Sequence, residues 1–300
     1  TFLGGGGDVD LVVRHDHADE RLGRRLGLLL GALTHGNGRE GDDRETENGL
    51  HQSEYTPGSF RTRVRSRGGV TILHTNDLHG KGPLVASRLR DLRERADLYL
   101  DSGDLVRSGN LAIPLGPDPG WPVLADLRCD ASVPGNRDVH VTELGLAAKH
   151  HGRTTPIVCA NLERRDGSLV YPGSLVVERA GLRIGIVGTM VRMVTPAMKT
   201  APLSQFLWTS RVAAAVREGE RIRGEVDVLF ALTHVGHRTD REIAETGLFD
   251  AVFGGHSHTV LDRPERVGRT FIAQGGSHGR YAGLYRWTEN GLEGGLERLG

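Results

Sequence analysis

Residues 226 to 233, Val-Asp-Val-Leu-Phe-Ala-Leu-Thr, constrain the fold more than any other stretch of the chain. A run so short and so nearly continuously apolar reads as a strand buried on both faces, which requires packed layers on either side. It passes directly into polar residues, Thr233-His234-Val-Gly-His237. The same grammar recurs. Val70 to Thr75 leads into His74-Thr-Asn-Asp77-Leu-His79-Gly80, and residues 97 to 101 lead into Asp101-Ser-Gly-Asp104. Phe249 to Phe253 leads into Gly254-Gly-His256-Ser-His258, and a loop carries Gly135-Asn136-Arg137-Asp138. Between these runs Val85, Leu89, Leu92 and Ala96 fall at helical spacing, and Ser210 can cap a helix that Gly224 ends. Helices are also expected over Trp121 to Cys129 and Val141 to His151. Pro156 to Ala160, Thr270 to Ala273 and Tyr281 to Trp287 read as further strands. Leu169 to Arg179 and Leu182 to Val187 read as a hairpin turned at Ala180-Gly181. The alternation predicts an α/β domain with at least two sheets' worth of strands.

Upstream of Val70 the texture is different. Residues 1 to 69 are dominated by Gly, Arg, Asp and Glu, with Phe2, Tyr55 and Phe60 as the aromatics. Such a stretch buries too little apolar surface to offset its ordering entropy, so it is expected to be a disordered leader before a domain spanning 70 to 300. Arg24-Arg25 before Leu26 to Leu33 is a weak signal-peptide pattern, short and broken by glycine, and a cytoplasmic location is expected. Basic and acidic residues number 38 each, which argues against a dedicated nucleic-acid binder. No apolar run of about twenty residues predicts a spanning helix, so no membrane partner is expected. Cys129 and Cys159 are too few for a disulfide framework.

The chemistry the polar clusters suit is metal binding. In open α/β sheets ligands collect where strands end. Asp77 and His79 are two apart, so an extended chain would put both on one face, and His256 and His258 share that spacing. Carboxylate, imidazole and amide oxygen together match divalent ions such as Mn, Fe or Zn, and no cysteine joins them. The candidates are Asp77, His79, Asp104, Asn136, His234, His256 and His258. Seven residues suit two ions if Asp104 bridges. Two ions about 3.5–4 Å apart suit in-line attack on phosphorus by a water between them. Taken singly, each piece has an ordinary reading as a turn, a helix cap or a core histidine. The conjunction of five, each after a strand or turn, is what points to a site.

The ordered set resembles the calcineurin-like metallophosphoesterases, and within them the catalytic domain of bacterial 5′-nucleotidases. The stretches that carry the resemblance are Thr71-Ile-Leu-His-Thr-Asn-Asp77-Leu-His79-Gly, Asp101-Ser-Gly-Asp104, Gly135-Asn136, Pro156-Ile-Val-Cys-Ala-Asn161-Leu, Leu232-Thr-His234-Val-Gly and Gly254-Gly-His256-Ser-His258-Thr. The resemblance implies a four-layer α/β/β/α sandwich with a dinuclear metal centre. Asp77, His79 and His258 would hold one ion, Asn136, His234 and His256 the other, and Asp104 would bridge them. Asn136 would also touch the phosphate. The implied substrate is a small phosphate ester, nucleotide-like or another phosphomonoester.

Two departures qualify the likeness. Such enzymes usually read Gly-Asn-His-Glu-x-Asp in the third block, where this chain reads Gly135-Asn136-Arg137-Asp138-Val-His140. Arg137 cannot donate a proton at neutral pH but can clamp phosphoryl oxygens, while His140 could supply the proton. An exchanged pair is therefore expected; the plainer alternative is an Arg137 salt bridge to Asp138 or Asp104. Second, no stacking aromatic pair of the kind that holds a nucleotide base can be assigned, so base specificity does not carry over. Phosphodiester hydrolysis and phosphate recognition without turnover are the competing readings. His237 and His278 are reserve candidates for substrate contact, Asp101 is expected to support rather than ligate, and Gln274 is expected near the site without an assigned role.

Overall fold

The computed structural model describes residues 69–300 except Thr200, so the expected leader and the Arg24 to Leu33 stretch lie outside the described residues. In chain order the elements are β1 (Val70–Thr75), α1 (Gly82–Arg93), β2 (Leu98–Asp101), α2 (Gly120–Asp126), β3 (Ala131–Ser132) and α3 (Glu143–Lys149). Then follow β4 (Leu162–Arg164), β5 (Ser174–Arg179), β6 (Leu182–Met190), a 3-10 turn (Ala201–Leu203) and β7 (Phe206–Trp208). The chain continues through α4 (Arg211–Arg223), β8 (Val228–His234), α5 (His237–Glu245), β9 (Ala251–Phe253), β10 (Glu265–Val267), β11 (Thr270–Ala273), β12 (Tyr281–Thr288) and β13 (Gly291–Arg298).

Two sheets form the body. One runs β13-β12-β1-β2-β3 and the other β10-β11-β9-β8-β6-β5, with β4 and β7 as a separate pair. Strands β1, β2 and β3 are mutually parallel, as are β6, β8, β9 and β11, while the added outer strands are antiparallel. Alternation along each strand assigns the layers. Ile72 of β1 joins Phe230 and Leu232 of β8 in the core between the sheets. Its neighbour Leu73 faces the other way, against Leu89 and Leu92 of α1 and Trp121 of α2. On β8, Leu229 and Ala231 pack under Ile222 of α4 and Ile243 of α5. Four layers, α/β/β/α, result, and both faces of β8 are dry.

Local chemistry accounts for the boundaries. Ser210 accepts from the Ala213 N–H to start α4, and Thr142 accepts from the Gly145 N–H to start α3. The hairpin β5–β6 turns on Ala180 (φ 51°) and Gly181 (φ 78°), two left-handed residues as a primed turn requires. Its first strand begins at Ser174, later than expected. The strand expected over Pro156 to Ala160 does not form. That segment changes partners: Val158 N–H donates to Ser132 beside the first sheet, and Ala160 N–H donates to Gly188 in the second. A chain crossing between sheets cannot build a ladder on either. Conversely β13 has no counterpart among the expected strands, because its glycines weaken a strand pattern. They are there for close approach: a Cβ at Gly294 would sit 2.4 Å from the Leu284 carbonyl oxygen. No helix among the described residues is long and apolar enough to cross a membrane.

Candidate metal centre

The loops after β1, β2, β8 and β9 and the loop after β3 meet at one end of the two sheets. The structure brings together all seven residues singled out as ligands. His79 Nε2 lies 3.0 Å from His258 Nε2, and Asp77 Oδ1 lies 3.6 Å from the first and 3.2 Å from the second. Beside this group, Asn136 Oδ1 lies 3.2 Å from His234 Nε2 and 3.0 Å from His256 Nδ1. Asp104 stands between the groups, with Oδ2 3.8 Å from His79 Nδ1 and Oδ1 3.6 Å from His234 Nε2.

The backbone that achieves this is not extended. Asp77, His79, Asp104, His256 and His258 all have φ between 47° and 77°. The two-apart pairs therefore converge through left-handed turns rather than by sharing one face of a strand, which corrects the spacing argument. Non-glycine residues in that region are strained, and their concentration here matches the way such strain collects at functional sites. Glycines serve two purposes around them. Gly80 and Gly103 are left-handed themselves. Gly135 is needed for close approach instead: a Cβ there would lie 2.2 Å from Asp104 Oδ1 and 2.3 Å from the Asp104 amide nitrogen.

Hydrogen bonds aim the donor atoms. His234 Nδ1 lies 2.7 Å from the Ser102 carbonyl, which can only accept, so Nδ1 carries a proton and Nε2 is the atom turned toward the cluster. Asp77 Oδ2 accepts from Asn76 Nδ2 (2.8 Å) and from the His256 N–H (2.9 Å), leaving Oδ1 toward the imidazoles. Asn136 Nδ2 donates to Asn110 Oδ1 (3.0 Å), which turns its carbonyl oxygen inward. Gln274, fully buried, holds the histidine loop: Oε1 accepts from Ser257 Oγ and the Thr259 N–H, while Nε2 donates to Gly255 O and Asp240 Oδ2. Asp101 accepts from Gly103 N–H, Thr75 and Ser132, and so supports the turn without facing the cluster. Asn76, Asn110, Asp240 and Lys149 are supporting residues that sequence reading does not single out. Each is tied to a partner far along the chain (Gly276, Asn136, Gln274 and Gly109 in turn), which no local pattern announces.

Electrostatics fit a cation. Asp77 Oδ1 and His79 Nδ1 are buried and have no hydrogen-bond partner, an expense that a metal ion would remove. Burial works against charge on Asp77, yet the His234 ring, with His258 and Asn76, outweighs it and holds the carboxyl at about 2. Burial, aided by Arg137, lowers His79 to about 3, and burial with His234 lowers His256 to about 4. Ionised carboxylate and neutral imidazole are the forms that ligate metals. The hydrogen bond to Asp77 raises His258, and against its burial Asp104 and Asp77 raise His234. Burial raises Asp104, so an arriving ion would displace protons at these three residues. The donor set, nitrogen and oxygen without sulfur, suits a divalent ion such as Zn, Mn or Fe.

The two replaced positions behave differently. The Arg137 backbone N–H donates to Asp104 Oδ1 (2.7 Å), and the side chain's charge works against protonation of His79 and His278. The ion pairs among the described residues include none from Arg137 to Asp138 or Asp104; Asp138 instead accepts from the Gly135 and Val106 amides. The His140 ring is held at the start of α3. Its Nδ1 lies 2.9 Å from Thr142 Oγ1 and accepts from the Thr142 N–H, and Gly145 packs against the ring. His237 is paired with Glu265.

Known proteins resemble this chain in sequence and in fold. The family model described as calcineurin-like phosphoesterase matches residues 70–260. The apyrase of Tabanus yao is 29% identical over 64% of this chain and 39% of its own length. A 5′-nucleotidase of Diplobatis ommata is 33% identical over 64% of this chain and 38% of its own. The chain thus spans about two fifths of the length of these curated relatives. Among solved structures, a 5′-nucleotidase precursor from Thermus thermophilus superposes with a TM-score of 0.63 at 21% identity, covering 76% of this chain and 54% of that one. At that identity the likeness speaks for the fold.

Proposed function

The chain belongs to the calcineurin-like phosphoesterase family, and from that premise we propose that it hydrolyses a small phosphate ester, nucleotide-like or another phosphomonoester, at a centre of two divalent metal ions. The reading is supported by the convergence of seven oxygen and nitrogen donor residues from five loops, two of whose buried atoms have no other partner. Asp77, His79 and His258 would hold one ion, Asn136, His234 and His256 the other, with Asp104 shared. When bound, two such ions supply positive charge for the phosphoryl oxygens and make an attacking water more acidic.

The protein's own groups do the rest. Arg137, whose backbone N–H binds Asp104, would bring a fixed positive charge beside the metal ligands and grip a phosphoryl oxygen with its planar fork. Asn136, oriented by Asn110, would also meet the phosphate. The Ser102 carbonyl holds the His234 ring in one orientation, so its ligand atom would need no rearrangement on binding. Proton delivery to the leaving oxygen by His140 is the part of the reading that rests on sequence alone.

One assay series tests this. Purified protein, loaded in turn with Mn, Zn, Fe or Ni, is given a chromogenic phosphomonoester and the matching diester. Turnover of the monoester, lost by about a hundred- to a thousandfold in Asp104→Asn, supports the reading; a missing charge-stabilising group costs on that scale. No turnover despite bound metal overturns it, and preference for the diester moves the substrate class. In the same series, His140→Ala should slow esters of poor leaving groups more than good ones. Equal loss on both removes the acid role.

A further inference from the structure

We infer that His278 is a third imidazole ligand for the ion held by Asp77, His79 and His258, a position that the family resemblance does not supply. The inference rests on reading the site as a metal centre. The ligand nitrogens of His79, His258 and His278 all lie within 4.8 Å of one another. The His278 ring is 4.6 Å from the His79 ring and 5.8 Å from the His258 ring, centroid to centroid.

The backbone holds His278 there at a cost. Its φ is 60°, between Gly276 at 73° and Gly279 at 67°, so this short turn is left-handed at three positions. A histidine in that conformation is disfavoured relative to glycine, which occupies the other two. The turn is pinned to the loop of the other ligands. The His278 N–H donates to the Asp77 carbonyl (2.7 Å), and Asn76 accepts from the Gly275 N–H (2.9 Å) and donates to the Gly276 carbonyl (2.7 Å). Ser277, buried, lies with Oγ 2.9 Å from His278 Nδ1. A serine hydroxyl can accept that proton, which leaves Nε2 as the ligand atom in the manner of other metal-bound histidines. His278 itself is exposed, so an ion can reach it without any opening of the fold.

A third imidazole beside two carboxylates, Asp77 and the shared Asp104, shifts the preference toward nitrogen-seeking ions, Zn, Co or Ni, and away from Mn. The test uses His278→Asn, because asparagine tolerates the left-handed backbone better than other non-glycine residues. The full chain is stripped with chelator and titrated with Co(II). Uptake is followed by metal analysis and by the visible absorption band, which reports the donor set without any need for turnover. We expect one of two Co(II) ions to bind at least roughly tenfold more weakly, with an altered band, in His278→Asn and likewise in His258→Ala. Unchanged affinity and band in His278→Asn, with a raised KM for the phosphomonoester, would make His278 a substrate contact and overturn the inference alone. If His278→Asn does not fold, His278→Gly keeps the turn and answers the same question. Wild-type protein that takes up no Co(II) overturns both this inference and the proposed function.

Discussion

His74 shows how much a single buried side chain can decide. It is fully buried between the sheets, Nε2 lies 2.9 Å from Ser102 Oγ, and Nδ1 has no partner. Burial lowers its pKa to about 3, against a nearby Asp77 that works in the opposite direction. The folded protein therefore demands the neutral ring. That stabilisation is complete above the unfolded pKa of 6.5 and is lost as pH falls from there toward 3. The expected loss is up to ~1.4 kcal/mol per pH unit. Urea unfolding of the wild type and of His74→Gln between pH 7 and pH 4 checks it. The wild type should lose stability more steeply, and parallel curves would detach the effect from His74. The same scale explains why some site residues are legible in the sequence and others are not. Asp77, His79, His256 and His258 stand in short motifs beside apolar runs. Lys149 does not, although it is fully buried with Nζ bonded to the Gly109 and Arg137 carbonyls. No local pattern announces a lysine whose partners are 12 and 40 residues away.

At the level of elements, burial on two faces ranks the strands. Phe230 of β8 meets Phe253 edge-on at 5.3 Å and Trp287 at 5.8 Å, joining three strands in the core between the sheets. Phe230→Ala should cost ~3–5 kcal/mol, because the packed layers cannot collapse around the void. Leu84, on the outer face of α1 and 78% exposed, is the contrast: Leu84→Ser should change stability by about 0.5 kcal/mol or less. Denaturant midpoints of the two variants read the difference, and equal shifts would contradict the layer assignment. The strands most legible in the sequence, β1, β8 and β11, have ladders in the sheet interior and are mostly apolar. Pro156 to Ala160 is strand-like in composition but gives its hydrogen bonds to two different sheets. Strand β13 is hidden because its glycines answer to Leu284 and Asp262, residues outside the strand itself.

For the molecule as a whole, the ligand loops are a local cost carried by the rest of the fold. Five left-handed ligand residues and two unsatisfied buried atoms are tolerated at one end of a well-packed sandwich. A divalent ion that binds only the folded state should offset this. At a free concentration a hundredfold above its Kd it adds ~2.7 kcal/mol. Thermal unfolding with saturating Zn or Mn, and again after chelation, is the measurement. The midpoint should fall by several degrees on chelation in the wild type and hardly at all in Asp104→Asn. An unchanged wild-type midpoint would mean that the cluster does not take up metal.

Periodicity and neighbours along the chain were enough to establish the strand grammar, the α/β class and the identity of the polar residues that follow the strands. How those residues converge is a product of the folded molecule. The spacing of Asp77 and His79 suggests one face of a strand, yet their shared position comes from left-handed turns held by the Gly103 and Asp104 carbonyls. Arg137 and His140 look alike in sequence as replacements for a usual pair. In the fold the Arg137 backbone N–H binds Asp104, while the His140 ring is tied to the cap of α3. His278 meets His79 from the far end of the domain, through a backbone hydrogen bond to Asp77. Contacts of that range cost chain entropy that only the assembled sandwich offsets, so no local window of the chain can encode them.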